Sequence, residues 1–260
     1  MGSDILAGRA ILSFSAAVMI APAAFFVPFP SEATWYALLL AIPAHFTYQL
    51  CLIGAMQRGD LSLVFPIMRG GAPMLTAIVA FVILGEKLSL IEVSGLIIAS
   101  IAVLIFVLPP KGTRLRSHPD RRVMLWALAT SFGIAFYTTL DARGIRIAGR
   151  PETFIVWLFI LDAICISSTA LIVRRSAMIP IIKERWKYGT AAGFLSILSF
   201  GAALYALSLI ETAKVSALRE TAVVFAALFG AIFLKEGFGM RRILAAALLA
   251  VGLIIMQFAG

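Results

Sequence analysis

LRETAVVFAALFGAIFLKEGFGMRR, residues 218–242, decides how this chain is read, because the same sentence stands 150 positions earlier. Residues 68–92 read MRGGAPMLTAIVAFVILGEKLSLIE, and in the overlay Arg219 falls on Arg69, Ala222 on Ala72, Ala227 on Ala77, Leu234 on Leu84 and Glu236 on Glu86. Each copy opens on an arginine and closes on a glutamate. Between them lie about twenty nearly uncharged apolar residues, enough to cross roughly 30 Å of hydrocarbon as a helix. A doubled stretch of this kind is expected of a membrane protein built from internal repeats, with charge held where the repeats face each other.

The composition agrees. Of 260 residues 62% are hydrophobic and 13% charged, which leaves too little polar surface to cover a soluble core. The net charge of +9 sits in short connections between apolar runs, not in a groove or tail, so it speaks for membrane topology and against nucleic acid as a partner. Cys51 and Cys165 lie inside apolar runs and read as small buried residues, not as a disulfide framework. The first residues carry no cleavable signal pattern.

Apolar runs predict nine transmembrane helices, over about residues 5–27, 33–56, 61–84, 90–108, 122–140, 152–173, 187–209, 213–234 and 240–258. No run alternates as a barrel strand would, so the fold class is all-α, a polytopic membrane protein. Trp35, Trp126, Trp186 and Tyr188 fall near run ends, where an aromatic belt would place them. The basic runs 111–122 and 174–187 fall on the side that takes most of the lysines and arginines, which makes that side cytoplasmic and sends the C-terminus outside. The segment MIPIIKERWKY from Met178 is a candidate for lying along the inner interface before its helix turns in.

The offset pairs four helices of residues 1–110 with the last four of residues 111–260, and the run 122–140 is left without a partner. That partner would precede Met1. The chain then shows four plus five helices of a ten-helix fold, and five being odd, the second repeat is inverted relative to the first. Inverted repeats place a solute near the midplane and work by rocking one half against the other.

The blocks RGDLSLVFPIMRGGAP at Arg58–Pro73, ILGEKLS at Ile83–Ser89 and ALRETAVVFAALFGAIFLKE at Ala217–Glu236 resemble the EamA-type transporters of the drug/metabolite transporter superfamily. The resemblance covers nearly the whole chain. It implies a bacterial inner-membrane carrier with ten helices in two five-helix repeats, exporting metabolites, amino acids or drug-like solutes. The chain departs from that pattern in showing nine helices, its opening GSDILAG looking like the family's link between first and second helices. It departs again in orientation, since better-known members keep both ends in the cytoplasm. By the same resemblance, Tyr48, Tyr137 and Tyr205 lie on helices that line the central cavity and would offer hydroxyls and ring faces to a solute, with core packing the plainer reading of each.

Ionisable groups inside hydrocarbon cost roughly 2.5–3.5 kcal/mol each on insertion scales, so each needs a reason. Five candidates stand out within the predicted helices: His45, Arg69, Asp162, Arg219 and Glu220. Arg69 and Arg219, at equivalent repeat positions, are candidate contacts for an anionic or zwitterionic solute, or members of an interhelical ion pair. Neighbours on a helix point about 100° apart, so Glu220 is turned away from Arg219 and toward another helix, where Arg69 is its symmetry-implied partner. Glu220 and Asp162 are the proton-coupling candidates, because proton and solute can compete for a buried carboxylate. His45 reads as a solute contact or an interhelical hydrogen bond.

Pro66 and Pro73 share a face of the helix 61–84 and bracket Gly70 and Gly71, which makes that helix the candidate moving or broken element. Glu86 and Glu236 are explained by placement at helix ends beside Lys87 and Lys235. The small-residue stripes Gly95–Ala102 and Ala245–Gly252 read as packing faces, within the chain or for a homodimer.

No phosphate-binding GK[ST] loop is present, so nucleotide is not the drive, and no cofactor is called for. No metal site is expected either: there is no HExxH, His118 falls in a loop and His45 stands alone on its run. The leading reading is a secondary carrier of small solutes in the bilayer, an exporter working by alternating access. A membrane-embedded enzyme and an inactive or partner-requiring truncated carrier subunit are the alternatives.

Overall fold

A computed structural model describes residues 4–59, 61–107, 121–225, 228 and 240–258. Among these the chain is helical, without strands: α1 (Ile5–Ile20), α2 (Glu32–Arg58), α3 (Leu61–Leu84), α4 (Leu90–Val107), α5 (Arg121–Ile147), α6 (Pro151–Arg174), α7 (Met178–Leu207), α8 (Thr212–Arg219) and α9 (Met240–Phe258), with short 3-10 turns at Ala21–Phe25 and Arg175–Ala177. The basic run from Lys111, His118, Lys235 and Glu236 lie outside the described residues.

Among the described residues five stretches are long and apolar enough to cross a membrane: Ile5–Phe25, Glu32–Arg58, Ile67–Leu84, Arg121–Ile147 and Pro151–Leu207. Large apolar side chains point outward along them, Val82, Ile172, Leu125 and Leu195 among them. Alanines such as Ala7, Ala41, Ala127 and Ala142 and the threonines Thr76, Thr130 and Thr139 take many of the buried positions, beside larger residues such as Phe154 and Leu158. Each of these threonines returns its hydroxyl to the carbonyl four residues back, at 2.7–2.8 Å. Small residues at helix contacts, bulky apolar ones on the outer face and polar groups satisfied within the helix are the packing of helices in lipid. The chain is an all-α, multi-pass membrane protein.

Helix ends differ from the sequence reading in three places. α5 runs on to Ile147, because Leu140, Ala142 and Ile145 continue its buried stripe past the expected end at residue 140. Gly149, at φ 68°, then turns the chain into Pro151 at the start of α6. α7 begins at Met178, so MIPIIKERWKY is the start of one 30-residue helix and not a separate interfacial segment. Pro180 sits in the first turn, where its missing N–H breaks no helical bond.

The third difference concerns the expected break. α3 is helical without interruption from Leu61 to Leu84, Pro66 and Pro73 included. The interruption falls in its counterpart. α8 ends at Arg219, Glu220 lies in a turn, and the backbone tightens to three-residue bonds there, Glu220 N–H to Ala217 C=O and Val223 N–H to Glu220 C=O, both 3.0 Å. Two prolines each remove one helical bond, which a membrane helix absorbs.

Contacts divide the chain into two compact units, Met1–Ile53 with Leu140–Leu209, and Gly54–Thr139 with Ile210–Gly260. In the first, α1 packs on α6 and α7 around Leu6, Ala10, Ile11, Ile53, Ile166 and Ala170. Gly193 makes the approach of α7 to α1 close: a Cβ there would lie 2.8 Å from the Ala16 nitrogen. Phe29, Trp35 and Trp157 form an edge-on aromatic cluster, with ring centroids 5.2–5.7 Å apart.

In the second unit α4 and α9 lie against each other through the two small-residue stripes, and a Cβ on Gly95 would stand 2.7 Å from the Gly252 carbonyl oxygen. The stripes are therefore used as packing faces within the chain. Trp126 of α5 lies on Gly54 of α2, with the Arg58 guanidinium 5.1 Å over its ring. Each unit draws helices from both halves of the sequence, and elements about 150 positions apart, α1 with α6, α4 with α9, fall in the same unit.

Candidate functional site

Each unit contains its own buried polar centre. In the second unit, Arg69 of α3 donates from Nη1 to Glu220 Oε1 at 3.3 Å, joining the two residues that the repeat sets against each other. Glu220 is 4% exposed in its side chain and Arg69 31%. The turn at the end of α8 holds the carboxylate inward, and Arg219, next in the chain, adds a second positive charge that acts on it. Glu220 Oε2 is buried without a hydrogen-bond partner. One turn beyond Ala72 on α3, Thr76 meets the Ser216 hydroxyl of α8 at 3.3 Å, so α3 and α8 are joined by polar contacts at two levels. A half-used buried carboxylate beside a partly open guanidinium is an arrangement that a solute's ionic groups can enter.

The expected hinge residues sit beside this pair. Gly70 lets Leu104 of α4 lie directly against α3, and Gly71 brings the Ser131 hydroxyl of α5 within 3.2 Å of where a Cβ would be. A groove of about 440 Å³ runs over both glycines between α3 and α4, lined by Ile67, Met74, Ile97, Ser100, Ile101 and Leu104. Its lining is nearly all apolar, so an ionic solute gains nothing there that lipid contact would not give.

In the first unit the centre is larger. His45 Nε2 of α2 stands 3.0 and 2.9 Å from the two carboxylate oxygens of Asp141 on α5, with side chains 5% and 0% exposed. One turn along α2, Gln49 donates from Nε2 to Asp162 Oδ1 of α6 at 2.7 Å, while its carbonyl accepts from Arg9 Nε of α1 at 3.0 Å. Gln49 is fully buried. The Phe200 ring of α7 closes over His45 edge-on at 5.8 Å. The four helices α1, α2, α5 and α6 are thus tied at one level by side-chain hydrogen bonds.

Three members of this network lie outside the sequence-predicted set. Asp141 lies just past the expected end of α5 at residue 140, Arg9 lies near the start of the first apolar run, and Gln49 is uncharged. The signal for all three was spacing: Gln49 follows His45 by one helical turn, and Asp141 follows the buried Tyr137 by one. The tyrosines themselves are dispersed. Tyr137 is buried, Tyr48 half-buried three residues after His45, and Tyr205 is 45% exposed on α7.

The connection between α3 and α4 fixes the start of α8. Gly85, at φ 70°, ends α3 with its N–H on Phe81 C=O and the next N–H, that of Glu86, on Ala80 C=O. That turn delivers the Glu86 carboxylate to the N-terminus of α8, where it accepts from Thr212 N–H (2.9 Å) and Thr212 Oγ1 (2.8 Å). Glu86 is therefore a helix cap in trans, beyond the end-of-helix role expected of it. Ser89 and Glu92 form a reciprocal capping box on α4, and Glu92 Oε1 also takes the buried Lys214 of α8 at 2.7 Å. Removing the cap in Glu86→Ala should cost about 1–2 kcal/mol, read as an earlier thermal unfolding in detergent. Lys87→Ala, next to it and exposed, should leave the transition within about 0.5 kcal/mol.

Comparison with known proteins bears on the fold and the class. The model of the EamA-like transporter family matches residues 121–258, more than half of the chain. No curated protein sequence matches. A solved structure, described only as the crystal structure of a protein, superposes with a TM-score of 0.76 at 15% identity, over 98% of this chain and 88% of that one. At that identity the likeness speaks for the fold alone.

Proposed function

The chain belongs to the EamA-like transporter family, and from that premise we propose that it is a secondary carrier exporting small solutes across a bacterial inner membrane by alternating access. The family is one of membrane transporters, and the multi-pass helical fold fits it. The observation that carries the finer reading is the pair Arg69–Glu220, an ion pair between membrane helices with one carboxylate oxygen left unused. In this reading Arg69 and Arg219 hold the anionic part of a solute, and Glu220 its cationic part or the counter-charge when no solute is bound. Tyr137 in the same unit, and His45, Tyr48 and Tyr205 in the other, are further candidates for solute contact.

The equal spacing of paired helices supports two inverted repeats, residues 1–110 and 111–260, as the rocking elements. α3, with Pro66, Gly70, Gly71 and Pro73, and the turn at Glu220 are the places where such motion would bend the chain. Drive by an ion gradient calls for a buried carboxylate that takes a proton, and Glu220 and Asp162 are the two candidates. Metabolite profiling of cells and medium, with and without the protein, tests the reading: one solute class should rise outside the cell when it is present. Equal profiles, or accumulation inside, would count against export.

A further inference from the structure

Where α6 passes into α7, the first unit carries cations that its own fold leaves unused. Arg174 is taken up by Asp4, with Nε 2.6 Å from Oδ2. Arg175, Lys183 and Lys187 are exposed, and among the described residues none of the three forms an ion pair. Glu184 is the one acidic residue between Arg174 and Lys187, and the half-buried Arg185 adds a further positive charge. Arg175 also stands at φ 45° and ψ −125°, a conformation that glycine takes freely and that strains other residues. The turn thus presents a cation where a glycine would cost less.

On α7 the two lysines share a face with apolar side chains. Ile179, Ile182, Lys183, Trp186 and Lys187 follow the i, i+3, i+4, i+7, i+8 spacing of one helical stripe. The isoleucines are 60% and 40% exposed and Trp186 52%, and the Lys187 ammonium lies 5.7 Å over the Trp186 ring. In water the stripe would expose two isoleucines and an indole; in hydrocarbon it would strand two ammonium groups. The headgroup layer accepts both at once. α7 has the length to reach it, since 30 residues rise about 45 Å against about 30 Å of hydrocarbon.

We propose that the α6–α7 turn and the first turns of α7 are a binding site for an anionic phospholipid. Lys183 and Lys187, one helical turn apart, pair with the headgroup phosphate, Arg175 adds to the positive field, and Ile179, Ile182 and Trp186 receive the glycerol backbone and upper chains. A headgroup with net negative charge is preferred, because a zwitterionic one brings its own ammonium to cations that have no partner. Immediately beyond the stripe, α7 approaches α1 closely at Gly189 and Gly193, so a lipid held there braces the end of that contact. The proposal rests on the membrane-spanning fold and not on the transport reading.

The test uses the full chain, purified in neutral detergent, stripped of lipid and given equal amounts of phosphatidylglycerol and phosphatidylcholine, with bound lipid counted by native mass spectrometry. Phosphatidylglycerol should be retained over phosphatidylcholine by about fivefold or more. Lys183→Gln with Lys187→Gln should bring that ratio close to one, whereas Lys183→Arg with Lys187→Arg should keep it. Arg150→Gln removes an exposed cation at the other end of α6 and should leave the ratio as it was. Equal retention of the two lipids, a ratio that the glutamine pair does not move, or an equal loss in Arg150→Gln would overturn the proposal. So would displacement of the lipid by inorganic phosphate beyond that caused by chloride at the same ionic strength, which would make this a site for a soluble anion. Should the glutamine pair fail to fold, Arg175→Gly decides: it should lower the ratio without lowering the melting temperature in lipid-free detergent, and an unchanged ratio would overturn the proposal.

Discussion

Arg69→Met is expected to lower stability by about 3 kcal/mol, the low end of the range for breaking a buried pair, since the guanidinium itself is partly open. The cost arises mainly on the other side. Glu220 remains, 4% exposed, with one oxygen already unpartnered and the other newly so. Replacing both, Arg69→Met with Glu220→Met, removes the stranded charge and should recover most of the loss. Thermal unfolding in detergent of the two single variants and the double gives the coupling directly. A double variant no more stable than Arg69→Met would mean that the pair is not the interaction that joins α3 to the turn after α8.

Gly95→Leu should be the most damaging single change away from the polar centres. The Cβ would meet the Gly252 carbonyl oxygen at 2.7 Å and the Met256 nitrogen at 2.8 Å, and backbone atoms cannot turn aside as a side chain can. Gly95→Ala should cost about 1–3 kcal/mol, and Gly95→Leu should part α4 from α9 and yield little folded protein. Gly201→Ala is the matched control, with nothing within 4 Å of the new carbon, and should change stability by no more than about 0.5 kcal/mol. Size-exclusion profiles and melting curves of the three separate these outcomes.

How far the sequence carries can be judged from particular helices. α3 was legible to the residue at both ends, because a charged turn precedes it and Gly85 ends it. α5 was cut short at residue 140, since Asp141, Arg143 and Arg146 read as loop charge. A hydropathy run reports what lipid can accept. It does not report which charges have partners, and Asp141 is acceptable inside a helix because it has partners there, His45 among them.

The same reason divides the candidate site. The Arg69–Glu220 contact followed from the repeat, which sets one residue against the other by position alone. The network of Arg9, Gln49 and Asp162 has no counterpart in the repeat and depends on how α1, α2 and α6 pack. The helix expected to move or break, α3, is continuous, and an interruption lies at Glu220. Prolines locate lost hydrogen bonds, whereas this turn sits where a buried carboxylate reaches its partner.

The central claim is that the chain is a carrier driven by a gradient, and counterflow in proteoliposomes tests it most directly. Liposomes containing the purified chain are preloaded with the unlabelled solute found by metabolite profiling, then diluted into a trace of the labelled form without nucleotide. Transient accumulation of label that depends on the preloaded solute, and that an imposed pH gradient strengthens, is the predicted result. Flux that matches protein-free liposomes, or that appears only with ATP, would contradict the account.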